Sequence, residues 1–247
     1  MRRIECSSSN DLLGNIDSDV EMVLLSAQYD ISDMQLQYDK NVFYTDTYIG
    51  PFGDRELILR NISNLSIIGK KKTSITSKYV YANVLTFIGC ENIKLENLTI
   101  GHMPQMGGCR GGVLVFKDCK NVSIENCILF GCGTIGIACD NCRDFYVQNS
   151  KIIRCNTELV YMNDSESMYY QSCEFSDNDC REITILHSDA IFFKECIFKR
   201  NEVAEWSSIE KPLLHIGNSS GRIVMHACTL DIDRSLLVND MNRLTVE

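Results

Sequence analysis

Six stretches of the chain, at 93–98, 122–127, 145–150, 168–173, 191–196 and 223–228, alternate apolar and polar positions in the same phase. Each reads apolar, any, apolar, mostly polar, turn residue, small, as in Val122-Ser123-Ile124-Glu125-Asn126-Cys127. The last positions Cys127, Ser150, Cys173 and Cys196 step by 23 residues, with longer steps of 29 from Leu98 and 32 to Cys228. A fixed period with insertions toward both ends marks repeat architecture. Alternation of period two, rich in β-branched and aromatic side chains, predicts strands, and no amphipathic helix of the kind a βαβ crossover requires lies between them. An apolar run precedes each stretch (113–116, 135–139, 159–162, 183–185) and a short one follows it (128–129, 151–152, 174–175, 197–198). Three strands per turn without helices predict an all-β chain, a single-stranded right-handed parallel β-helix with three strands per coil and about seven coils.

The pattern divides the chain into an N-terminal cap and irregular coil (1–56), the β-helix (57–230) and a C-terminal cap (231–247), one structural unit overall. Ser9 to Ile16 reads as a short N-capped helix that would seal the first coil, and Leu236-Leu237-Val238 with Leu244-Thr245-Val246 would close the far end. Asn97, Asn126 and Asn149 share one bend, where Asn tolerates a left-handed backbone and its amide can bond its equivalent one coil away; Ser172, Glu195 and Ala227 continue the position. The thirteen cysteines fall largely into columns. Cys127, Cys173, Cys196 and Cys228 form one; Cys90, Cys119 and Cys142, continued by Ser165 and Ser188, form a second; Cys132 and Cys155, continued by Asn178 and Asn201, form a third. Such placing suits compact side chains packed in tight corners as free thiols, and it disfavours four ligands converging on a zinc ion. No metal and no cofactor is expected.

A formal net charge of −9 argues against a surface that neutralises phosphates, so nucleic acid is not an expected partner. No run approaches the roughly 18 apolar residues of a membrane span, so no membrane partner is expected either. Met1-Arg2-Arg3-Ile4 leads into no apolar stretch, so no secretory signal is read, and with free thiols the chain as given is expected to be cytoplasmic, or secreted if a leader was removed. Oligomeric state is open.

With strands and corners in place, the phrases Asn61-Ile62-Ser63-Asn64-Leu65-Ser66-Ile67-Ile68-Gly69 and Asn92-Ile93-Lys94-Leu95-Glu96-Asn97-Leu98-Thr99-Ile100 resemble the pectate-lyase-like superfamily of right-handed β-helices. The segment from Gly101 to Val113, followed by Gly131-Cys132-Gly133-Thr134-Ile135-Gly136, looks most like its uncharacterised members. That resemblance implies a substrate groove over the outward side of the first strand of each coil. The Trp-Ile-Asp-His phrase of the lyases is absent, as are the paired aspartates of the galacturonan hydrolases, so no catalytic residue carries over.

By alternation Leu114, Phe116, Ile137, Val160, Met162, Ile183 and Ile185 point inward, leaving Thr86, Val115, Ala138, Tyr161 and Thr184 outward. Tyr161 offers an aromatic platform for a sugar, with Thr184, Lys117, Asn163 and Trp206 as further binding candidates. Asp140 and Glu182, expected two coils and roughly 10 Å apart, form a candidate acid/base pair, with Glu158 as an alternative to Glu182. His102 and Arg110 flank the longest excursion between coils and are further candidates for chemistry. Two functions stay open: carbohydrate binding or processing on the first-strand surface, or a non-catalytic scaffold that binds another protein.

Overall fold

The computed structural model describes residues 1–32, 41–46, 54–103, 110–131, 134–202 and 211–247. Trp206 and Cys132 lie outside them. Short parallel strands wind into a helix with three faces. The first face is an 8-stranded sheet that includes Leu85–Ile88, Leu114–Lys117, Ile135–Asp140, Glu158–Asn163, Ile183–Leu186 and Leu214–Ile216. Its one antiparallel pair among the described residues is Val42–Asp46 against Arg55–Arg60. The second and third faces merge into a 16-stranded sheet because Ser63–Ser77 and Glu91–His102 run through the corner between them.

The 23-residue step becomes a pairing register. Val122 pairs with Phe145, Phe145 with Met168 and Met168 with Ile191 on the second face, each a buried residue of the sequence repeat. The seven residues expected to point inward from the first face are all 0% exposed. Stacking puts like on like, so the rings of Phe87 and Phe116 (4.8 Å) and of Phe175 and Phe198 (4.6 Å) lie face to face at the coil spacing.

Corners are set by backbone handedness. Asn97, Asn126, Asn149, Ser172, Glu195 and Ala227 all have φ between 49° and 56°, so the bend persists where Asn gives way to residues that adopt it less readily. Coils are linked there through the main chain, with the Asn126 and Asn149 N–H groups donating to Gln148 and Gln171 carbonyls (3.1 and 3.0 Å). The side-chain amide ladder runs at another corner. Asn121 donates to Asn92 (2.7 Å), Asn92 to Asn64 (2.8 Å) and Asn64 to Asp19 (2.7 Å), again all at positive φ.

The residue after each bend explains the cysteine columns. Cys127 Sγ reaches the Glu125 carbonyl (3.3 Å), and Ser150 Oγ, one coil on, donates to the Gln148 carbonyl (2.8 Å) while accepting from Cys127 N–H (3.0 Å). From Cys127 onward the corner takes a small side chain that can donate to the carbonyl two residues back, which both Cys and Ser supply, whereas the first bend is followed by the buried Leu98. The cysteines among the described residues are free.

The helix at the N-terminus spans Ser9–Gly14, with Ser8 and Asp11 forming a reciprocal capping box. Parallel pairing starts ahead of Leu57: Arg2–Cys6 pairs with Val20–Leu24, and Val20–Leu24 with residues 65–69. At the far end Leu244–Val246 adds in parallel to Ile223–Met225. No helix among the described residues is long and apolar enough to cross a membrane.

Candidate functional site

On the first face Thr86, Val115, Ala138, Tyr161, Thr184 and His215 lie side by side in one outward column. At the start of these strands two carboxyl side chains on consecutive coils come together. Glu158 begins its strand, and the carbonyl of Glu182 receives the N–H of Leu159 (2.8 Å), so the two glutamates are one coil apart and offset by one residue. Strand spacing sets their backbones about 5 to 6 Å apart.

The two carboxyls stand in different surroundings. Glu182 is 6% exposed, and Lys211 donates a hydrogen bond to its Oε2; His215 Nδ1 stands 4.0 Å from Oε1. Among the described residues no cation sits on the half-buried Glu158, and its buried Oε2 has no partner. Burial, reinforced by the neighbouring Glu182 charge, pushes the Glu158 carboxyl up to about 7 against the smaller opposing effects of the Thr184 hydroxyl and Lys211. Tyr161, half-buried beside them, is raised by burial and then by the charges of Glu158, Asp140 and Asp164. The site therefore holds one carboxyl poised to gain or lose a proton near neutrality beside a second that is hydrogen-bonded to Lys211, an asymmetry that acid/base chemistry can use.

The other candidates fall elsewhere. Asp140 and Glu182 are not a pair. Asp140 is in register with Asn163 and Lys117 at the end of the strands, while Glu182 precedes Ile183 at their start, an offset of four residues or about 13 Å along the strand. Alternation tells which side a residue faces; only the pairing register tells which end it occupies. Asp140 Oδ1 accepts from Asn163 Nδ2 (2.8 Å), and Asn163 Oδ1 contacts His187 Nδ1 (3.1 Å). Lys117 is exposed at the same end. His102 is 0% exposed, with Nε2 donating to the Ala82 carbonyl (2.9 Å), and burial lowers its pKa. It is thus a neutral imidazole inside the coil, out of reach of a surface substrate. Arg110 is exposed at the corner above it, its N–H bonded to the Val80 carbonyl (2.8 Å). Thr184 holds its expected outward place against Glu158.

Lys211 and His215 escaped the sequence reading. His215 carried a signal, since Leu214-His215-Ile216 repeats the alternation of Ile183-Thr184-Ile185. Lys211 carried none, because it precedes its strand outside the repeat. Among the described residues no three His, Cys, Asp or Glu side chains gather as a metal site would need.

Residues 57–232 match the family model described as a right handed beta helix region, and the chain belongs to that family. Among solved structures, the pectin methylesterase of Aspergillus niger in its penultimately deglycosylated form superposes with a TM-score of 0.56 at 10% identity, covering 96% of this chain and 79% of that one. Its deglycosylated form gives 0.56 and 10%, covering 98% and 80%. A candidate glycosyl hydrolase from Parabacteroides merdae gives 0.48 and 8%, covering 92% and 97%. A search of curated proteins finds no match. The fold is thus one shared with a pectin methylesterase.

Proposed function

We propose that the protein processes a polysaccharide on the outward surface of the first face, with Glu158 as proton donor and Glu182 as the facing carboxylate. The observation that carries this reading is the carboxyl raised to about 7 beside an ion-paired carboxylate one coil away. Glu158 would protonate the departing glycosidic oxygen, and Tyr161 and Thr184 would line the path of the chain. In the retaining class of glycosidases the second carboxyl of such a pair acts as nucleophile, and Glu182 stands on the adjacent coil. Glu182 would then be the nucleophile, held in place by its bond from Lys211.

Reducing-end release from a panel of neutral and uronic polymers tests this. Cleavage is expected to fall by about 10²- to 10⁴-fold in both Glu158→Gln and Glu182→Gln, with unchanged circular dichroism. Failure across the whole panel would overturn the enzymatic reading and favour the non-catalytic, protein-binding scaffold.

A further inference from the structure

The cysteine columns reach solvent at one place among the described residues. Cys173, Cys196 and Cys228 follow the same bend on three successive coils, each two residues after the in-register set Gln171, Lys194 and His226. The Ile197 N–H bonds the Cys173 carbonyl (2.9 Å) and the Thr229 N–H the Cys196 carbonyl (2.8 Å), so each cysteine lies directly over the one before it. Cys173 and Cys196 are sealed, whereas Cys228 is half-buried; every other described cysteine, including the stacked Cys90, Cys119 and Cys142, is buried.

Cys196 and Cys228 hold the same pose. Cys196 Sγ donates to the carbonyls of Lys194 and, one coil down, Tyr170 (3.5 and 3.3 Å), and Cys228 Sγ to those of His226 and Phe193 (3.6 and 3.4 Å). Equal poses on adjacent coils separate the two sulfurs, and the two Cβ atoms, by about the strand spacing of 4.7 to 4.9 Å. The Cβ atoms are then wider apart than the roughly 3.5 to 4.5 Å of a disulfide. Two metal–sulfur bonds of about 2.3 Å in line cover about 4.6 Å, close to the sulfur spacing. Main-chain N–H groups favour charge on both sulfurs, that of Cys196 acting on Cys228 and that of Cys173 on Cys196. Even so, the Cys173 thiol and burial push Cys196 up to about 12 against the opposing effect of Cys228, and the Cys196 thiol and burial raise Cys228, so both are protonated near neutrality.

From this arrangement we propose that Cys196 and Cys228 form a two-coordinate site for a soft monovalent cation of the Cu(I) kind. Sulfur donors select soft ions, and a pair of donors in line lacks the four ligands of tetrahedral zinc and the oxygen shell of calcium or magnesium. The step involves no oxidation or reduction. Two S–H bonds break, two Cu–S bonds form, and two protons leave to solvent. Cys228 admits the ion, which then ties the coil of Cys228 to the one beneath it. Serine can test the site without breaking the corner, because Ser150, Ser165 and Ser188 make the same bond to the carbonyl two residues back on other coils (2.8, 2.8 and 2.7 Å).

Anaerobic titration of the full chain with Cu(I) against a chromogenic Cu(I) chelator tests the proposal, repeated with Zn(II) and with a Cys109→Ser/Cys132→Ser chain that removes the thiols outside the described residues. One Cu(I) per chain is expected to bind at least a hundredfold more tightly than Zn(II) and to be retained in that double variant. Cys196→Ser and Cys228→Ser should each weaken it at least a hundredfold with circular dichroism unchanged, while Cys90→Ser leaves it intact. Displacement of two protons should tighten binding by about a hundredfold per pH unit near neutrality. X-ray absorption should show two sulfur neighbours. No tight Cu(I), binding that survives either Cys196→Ser or Cys228→Ser, loss of the ion in the double variant, or three or more sulfur neighbours would each overturn the site.

Discussion

On the third face, Glu174 sits between Lys151 and Lys199, 3.0 Å from each, with Ser176 donating a third bond (2.9 Å). Burial would raise this carboxyl, but those bonds outweigh it and hold it at about 2. On the first face, in the preceding part of the same winding, Glu158 has burial and the Glu182 charge acting in one direction and rises to about 7. Both glutamates begin a strand of the same kind of coil. What separates them is the neighbouring rung: lysines above and below Glu174, another glutamate above Glu158. A solenoid makes the residue one period away the decisive neighbour, so a carboxylate stacked on cations reinforces the fold while one stacked on a carboxylate becomes a group that can exchange a proton near neutral pH.

The largest effect expected from breaking this contrast is catalytic. Glu158→Gln should lower glycan cleavage by about 10²- to 10⁴-fold and Glu174→Gln should leave it intact; equal losses in initial rates would erase the distinction between the faces. Next comes the cation. Lys211→Met strands the nearly buried Glu182 and should cost about 2 kcal/mol in denaturant unfolding, whereas Lys151→Met, on an exposed pair, should cost under about 0.5 kcal/mol.

A smaller effect is the pH dependence of stability. Because the folded-state pKa of Glu158 is raised, its proton favours the folded state below the unfolded value, near 4.5, and that contribution is lost as pH rises through about 7. Glu158→Gln should therefore melt with the unaltered protein at pH 5 and above it at pH 8, by about 1 kcal/mol after solvent screening. Glu174 has the opposite sign and the least weight. Its depressed pKa stabilises above about 4.5 and the contribution fades as pH falls toward 2, so Glu174→Gln should lose about 0.5 kcal/mol or less at pH 7 and nothing at pH 2, read from denaturant midpoints.

Much of the architecture was legible because stacking turns a sequence period into a spatial column. The outward set from Thr86 to Thr184 and the corner holding Cys127, Ser150 and Cys173 both follow from counting in steps near 23. The amide ladder was harder to place: Asn97 and Asn121 both sit at left-handed bends, but only the second bonds its equivalent through the side chain. Counting also failed for Asp140 and Glu182, which share a side of the sheet and not an end of the strand.

The sequence by itself determined the period, the side of each strand that faces the core and the residues that turn the corners, because those depend on local alternation and on backbone handedness. Only the tertiary structure decided that Glu158 meets Glu182, that Lys211 arrives on Glu182 from outside the repeat, and that His102 is sealed inside. Each of these depends on side-chain direction and on segments of irregular length brought onto the same rung, and a repeat count contains neither.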